Sequence, residues 1–217
     1  MFRYLLELFY PTKCLFCHKP LERGHVDLCP KCRAEAPEFT KAKNKFSFIA
    51  RWTSVWYYKD KARRCILRYK FYKYRSYCTN FGRLLAMKLQ QEQMDDFDLL
   101  TWVPISSLRR FKRHYDQCEL LAQVVGKELG AVPVKTLKKT RHNRAQSTIR
   151  DHSMRRANVL GVYRILNPEL VRGKRILLLD DIVTSGSTAS ECARVLLTAG
   201  AKEVQLGTIA FSDHNSK

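Results

Sequence analysis

From residue 48 onward, hydrophobic positions alternate between short continuous runs and stretches where they recur every three or four residues. Residues 48–58 (FIARWTSVWYY) are β-branched and aromatic, which predicts a strand or hairpin. Between Asn80 and Met94, the residues Phe81, Leu84, Leu85 and Leu89 fall at helical spacing. A short apolar run from Leu99 to Val103 is ended by Pro104. A further helix is predicted over Gln117–Leu129, with Gly130 in the stop position, and a strand over Val132–Leu137. Ile176–Leu179 is continuously apolar, as expected of a strand covered on both faces. A helix over Ala189–Leu197, closed by Gly200, and a strand over Val204–Ala210 complete the series. Strands alternating with helices predict an α/β fold, a mostly parallel sheet with flanking helices and right-handed crossovers.

Before this body the pattern is different. Residues 1–10 (MFRYLLELFY) are apolar but too short to span a bilayer, and Arg3 and Glu7 interrupt them. They read as a short amphipathic helix; no small-residue cleavage site follows, so the expected compartment is the reducing cytoplasm. Cys14-x-x-Cys17 and Cys29-x-x-Cys32 then form two knuckles. Each can aim two thiolates at one ion, and together they complete the tetrahedron that zinc prefers. Four sulfur ligands leave no place for a substrate water, so the zinc would be structural, replacing a core that so short a segment cannot build. Cys14-Leu15-Phe16-Cys17-His18 also fits a haem-attachment pattern, against which the second knuckle argues. His18 and His25 are spare ligands with no vacancy to fill. Cys65, Cys78, Cys118 and Cys192 read as small core hydrophobes. Pro37 and the Lys/Asn-rich stretch through residue 47 mark a boundary, giving a helix-plus-zinc module at 1–40 and a larger domain at 41–217.

The chemistry concentrates in residues 175–188 (RILLLDDIVTSGST). An apolar strand ends in Asp180 and Asp181, and a loop of hydroxyls and glycine then opens a helix. Paired carboxylates can accept hydrogen bonds from ribose hydroxyls, and the N–H groups of Thr184, Ser185, Gly186, Ser187 and Thr188 can cradle a 5′-phosphate at the helix N-terminus. Gly186 permits close backbone approach. Thr188 and Glu191 have the spacing of a capping box. No Lys follows the glycine as in a Walker loop, and there is no G-x-G-x-x-G.

Forty Lys and Arg against twenty Asp and Glu give a formal net charge of +20, a field that attracts polyanions. Residues 59–75 hold eight cations and one acid, and from Tyr69 to Tyr77 rings alternate with Lys70, Lys73 and Arg75. That alternation suits single-stranded nucleic acid, rings stacking on bases while cations track phosphates. It equally suits an amphipathic element with its rings in the core. Residues 135–156 carry eight more cations, including Arg141, Arg144, Arg155 and Arg156, and read as a functional lid or a solvated loop.

Residues 175–188 resemble the phosphoribosyl-pyrophosphate (PRPP) loop of type I phosphoribosyltransferases. In that family the twin acids contact ribose hydroxyls and the following loop holds the 5′-phosphate. The whole chain resembles the competence protein F (ComF) family, which joins a four-Cys zinc module to a phosphoribosyltransferase-like domain. The matching residues are the segment before Pro11, the two knuckles, Lys70-Phe71, Val103-Pro104 and Arg113-x-Tyr115-x-Gln117. They continue with Arg141, Arg144, Gln146, Arg156-x-Asn158-Val159 and the Asp180-Asp181 loop. The resemblance implies a type I phosphoribosyltransferase-like fold and a role in natural transformation, receiving single-stranded DNA beside a competence helicase. Lys70, Lys73, Arg75, Arg141, Arg144, Arg155 and Arg156 are then the expected DNA contacts. The alternative is a transferase moving ribose 5-phosphate from PRPP, with Mg²⁺ held mainly by PRPP itself. Asp180 and Asp181 would orient the ribose, and Arg113, Arg141 or Arg144 would stabilise the leaving pyrophosphate. Two departures stand out: Ser106-Ser107 where the family commonly has His-Pro, and Arg113-His114-Tyr115-Asp116-Gln117 for the usual R-G-[FY]-N-Q. The imidazole for glycine bears on pyrophosphate binding, because a side chain restricts φ > 0 and fills space.

Overall fold

The computed structural model describes residues 13–21, 27–40, 44–71, 76–141 and 152–212. Its centre is a four-stranded, wholly parallel sheet in the order β1-β6-β5-β2, formed by β1 (Arg51–Tyr57), β2 (Leu99–Trp102), β5 (Arg175–Val183) and β6 (Glu203–Phe211). Strands β3 (Leu137–Lys139) and β4 (Tyr163–Ile165) make a separate antiparallel pair, Lys139 opposite Tyr163. The helices are α1 (Pro30–Ala34), α2 (Asp60–Phe71), α3 (Tyr77–Gln91), α4 (Ser107–Arg113), α5 (Gln117–Leu129), α6 (His152–Val159) and α7 (Ser187–Thr198).

β5 organises the molecule. Side chains alternate across a strand, so Leu177 and Leu179 enter the core shared with α2, α3 and α5. Ile176 and Leu178 enter the opposite core, with α7 and the β3–β4 pair. All four leucine and isoleucine side chains are fully buried, as their unbroken apolar run predicts. Past the apolar run the two acids stay together: a carboxylate oxygen of Asp180 and one of Asp181 lie within 4.8 Å of each other and of the Cys118 sulfur.

Several expectations shift. Within residues 48–58 a single strand, Arg51–Tyr57, forms, not a hairpin. No strand covers Val132–Leu137; strand structure starts at Leu137, because Pro133 has no N–H and Val134 instead donates to the Leu100 carbonyl at 2.8 Å. The basic stretch after residue 59 is helical to Phe71, with Ala62, Cys65, Ile66 and Tyr69 buried at the i, i+3, i+4, i+7 spacing of a core face.

The zinc module does not stand apart. Leu15, Phe16, Leu28 and Cys32 share one buried cluster with Trp56, Ile66 and Phe81, and the Phe16 and Trp56 rings lie 5.1 Å apart. Lys61 to Glu35 and Arg68 to His18 tie α2 to the module. The N-terminal segment expected to be helical lies outside the described residues. Among the described residues, no helix is long and apolar enough to cross a membrane.

Candidate functional site

The loop after β5 turns sharply at Gly186, whose φ of 71° is left-handed. A Cβ there would sit 2.2 Å from Cδ1 of Phe46, so only glycine fits. Gly186 is also the N-cap of α7 and contributes no side-chain cap, while the Ser185 and Ser187 hydroxyls bond each other at 2.8 Å. The first N–H groups of the helix are therefore not capped by a side chain of Gly186, an arrangement suited to an anionic oxygen. The expected capping box does not form. Glu191 accepts from the Gly161 N–H at 2.8 Å and pairs with Arg194 at 2.8 Å.

Asp181 is buried beside Lys70, whose Nζ lies 2.9 Å from Oδ1, and Gln117, whose Nε2 donates to Oδ2 at 3.0 Å. Burial opposes its charge, but Lys70, Gln117 and Arg113 together hold its carboxyl below the usual range. Lys70 lowers the pKa of Asp180 as well, but burial and the Asp181 charge outweigh it. Burial first, then the neighbouring Asp181 charge, pushes its carboxyl up to about 7. Its Oδ1 accepts the Asp181 N–H at 2.8 Å and faces the Cys118 thiol at 3.5 Å. Cys118 is thus more than the core filler its type suggests; burial and then the two carboxylates raise its own pKa.

Two tyrosines set this geometry. The Tyr69 hydroxyl donates to the Gln117 carbonyl at 2.7 Å, and the Tyr115 hydroxyl donates to the Tyr69 carbonyl. They clamp α2 to the start of α5, so Lys70 and Gln117 arrive at Asp181 together. Asp116 caps α5 by accepting from the Cys118 and Glu119 N–H groups at 3.0 and 3.3 Å. Gln117 keeps one need unmet: its buried Oε1 has no hydrogen-bond partner among the described residues. The amide cannot be flipped to relieve this, since Asp181 requires the donor. A ligand hydroxyl would meet it.

Around these groups opens a cleft of ≈ 660 Å³, whose floor is the acids and the Thr184–Thr188 loop. Its walls carry Lys70, Arg109, Lys112, Arg113 and Lys139. Burial, then Arg109, lowers the Lys139 pKa to about 8, and its Nζ lies 5.3 Å from the Tyr163 ring centroid. Such a cleft can hold a phosphorylated sugar, with cations left over for further phosphate groups.

The structure sorts the sequence-derived residues. Asp180, Asp181, Thr184, Ser185, Gly186, Ser187, Thr188 and Arg113 converge on the cleft. Lys70 joins them; it faces Asp181 instead of presenting an open nucleic-acid surface. Arg141 donates to the Leu160 carbonyl at 3.1 Å, away from the acids. Lys73, Arg75 and Arg144 lie outside the described residues, as do the side chains of Arg155 and Arg156 on α6. Sequence reasoning did not place Arg109, Lys112, Lys139 and Tyr163 at the site. Only the fold could, because α4 and the β3–β4 pair reach the cleft from distant segments.

At the other end, the thiols of Cys14, Cys17, Cys29 and Cys32 all lie within 4.8 Å of one another. Cys17 Sγ and Cys29 Sγ are 3.8 Å apart, about the edge of a tetrahedron with ~2.3 Å zinc–sulfur bonds. The Cys29 N–H points at the Cys14 sulfur at 3.4 Å, as a thiolate ligand favours. The set fits structural zinc.

Fold and site together define a phosphoribosyltransferase-type domain with a zinc ribbon built onto it. The phosphoribosyl transferase domain family model matches residues 116–217, and the double zinc ribbon domain model matches residues 5–43. DNA utilization protein YhgH of Salmonella typhimurium is 27% identical over 92% of this chain and 96% of its own length. Competence protein F of Haemophilus influenzae is 22% identical over 93% of this chain and 98% of its own length. Orotate phosphoribosyltransferase of Pyrococcus furiosus is 28% identical over 44% of this chain and 50% of its own length. Over nearly its whole length the chain is thus similar to proteins named DNA utilization protein YhgH and competence protein F.

Proposed function

We propose that this protein handles single-stranded DNA in natural transformation, on a scaffold that binds PRPP or another ribose 5-phosphate compound. The observation that carries the reading is the cationic cleft floored by Asp180, Asp181 and the loop at Gly186. The loop's N–H groups take the 5′-phosphate. Asp180 and the unmet Gln117 Oε1 accept ribose hydroxyls, while Asp181 stays neutralised by Lys70. The net charge of +20 and the names of the relatives matched along nearly their whole length, DNA utilization protein and competence protein F, support the DNA side. A cytoplasmic location and a competence helicase as partner belong to the same proposal.

A second reading, transferase activity, is favoured by the intact acid pair beside surplus cations. Arg113, with Lys112, would neutralise departing pyrophosphate, and catalysis would be positioning plus charge neutralisation. Mg²⁺ would enter on the oxygens of PRPP. His114 weighs on this step: it takes the left-handed conformation at φ 63°, which glycine adopts freely.

Titrating labelled single-stranded DNA, with and without PRPP and Mg²⁺, tests the proposal. Binding that weakens steeply with salt, and a PRPP affinity lost in Asp180→Ala, are expected. Failure of PRPP and ribose 5-phosphate to bind at millimolar concentration would remove the ligand site. Pyrophosphate release with any nucleobase would favour the transferase.

A further inference from the structure

We infer that α4, on the rim of the cleft, is a contact surface for single-stranded nucleic acid, with Phe111 as the ring on which a base stacks. The inference rests on the DNA reading above and names the surface that reading lacks.

α4 is unusual among the described helices. Four of its seven residues are Arg109, Arg110, Lys112 and Arg113; none is acidic, and none is buried. So short a helix has little stability of its own in water. It is held at its ends, by the Ser106 hydroxyl accepting from the Arg109 N–H at 3.4 Å and by the left-handed turn at His114. The fold keeps this helix formed without hiding it.

Its apolar side chains are the other half of the observation. Phe111 is 77% exposed and Leu108 46%, three residues apart on one face. The His114 ring lies 6.5 Å from the Phe111 ring. Phe111 follows Arg110 and precedes Lys112 on this helix; Arg109, Lys112 and Arg113 line the cleft rim beside it, and Arg110 pairs with Glu119 at 2.9 Å. Exposed ring and flanking cations are what a single strand needs: a base covers the ring and its phosphates meet the charges. Charge complementarity selects this occupant over an apolar protein groove. Two apolar side chains on a seven-residue helix give little area to bury in a bilayer.

The test is fluorescence anisotropy of a labelled oligothymidylate with the full chain, comparing wild type, Phe111→Ala, Phe111→Trp and Lys112→Gln over a range of salt. Phe111→Ala should weaken binding roughly 5- to 100-fold at an unchanged salt slope, and Phe111→Trp should retain it. Lys112→Gln should lower the slope by about one. Because Phe111 is exposed, thermal melting of its variants should match wild type. If Phe111→Ala binds as well as wild type, the inference falls and the DNA reading stands. If wild type itself does not bind, the DNA reading falls and takes this with it. If Phe111→Ala loses binding only to vesicles of phosphatidylserine and phosphatidylcholine, the surface is a membrane contact and the inference is overturned.

Discussion

Asp180 and Asp181 are adjacent in the chain, yet the Lys70 and Gln117 contacts to Asp181 put them in opposite protonation regimes. Burial and the Asp181 charge raise Asp180 to about 7, well above its unfolded value of ~3.9. Between those values the native state holds a proton that the unfolded chain has released. Stability from this group therefore falls as pH rises from about 4 to about 7, by at most about 1.4 kcal/mol per unit, and is level above. Urea denaturation at pH 5 and pH 8 should show that Asp180→Asn loses this decline. Ribose 5-phosphate affinity should show the converse, rising toward pH 7 as the carboxylate becomes an ionised acceptor. Asp180→Asn should lack that component while keeping the part due to the phosphate's own ionisation. Lys70→Met leaves Asp181 buried without its cation, and should cost about 3 kcal/mol in the same denaturation experiment. An unchanged midpoint would mean that Gln117 alone satisfies the acid.

At the level of elements, Gly186 joins the loop at 184–188 to the aromatic cluster beneath it. Phe46 sits against the glycine and 4.7 Å from Trp52, centroid to centroid. Gly186→Ala meets both a left-handed φ and that ring, so a loss of about 2–4 kcal/mol is expected, with ligand affinity falling alongside. Adding Phe46→Ala should not restore the wild type, since the backbone strain survives removal of the ring; full rescue on thermal melting would place the whole penalty in the clash. The strand–acid–loop–helix run around this glycine was legible because all of its chemistry is contiguous, and the two knuckles were legible because ligand spacing is a local property. What could not be read was set by distance. Thr188 and Glu191 have capping-box spacing, but Arg194 and the Gly161 N–H compete successfully for the carboxylate. Lys70 belongs to a run that looks like a nucleic-acid strip, and only the Tyr69 and Tyr115 hydroxyls, reaching across to other helices, turn it onto Asp181. α4 left no mark in the hydrophobic pattern because it has no buried face.

Across the whole molecule, the four-cysteine site and the cleft are linked by a common core, since Phe16 of the ribbon packs on Trp56 of β1 and that cluster extends to Leu177 and Leu179 of β5. Stripping zinc should therefore lower one cooperative melting transition; a loss of about 3 kcal/mol corresponds to roughly 6–12 °C for a chain of this size. A separate early transition would show that the ribbon folds independently. The charges make a second link. A pyrophosphate-bearing ligand in the cleft draws on Arg109, Lys112 and Arg113, the same cations that flank Phe111 on α4. Two polyanions sharing cations must oppose each other, and linkage makes the opposition equal in both directions. Saturating PRPP should weaken oligothymidylate binding roughly fivefold or more and flatten its salt slope, as neutralised cations no longer exchange counterions with the strand. Ribose 5-phosphate, which lacks the pyrophosphate, should do so far less. Equal effects of the two ligands would locate the coupling at the Gly186 loop, and no effect of either would separate the rim helix from the cleft.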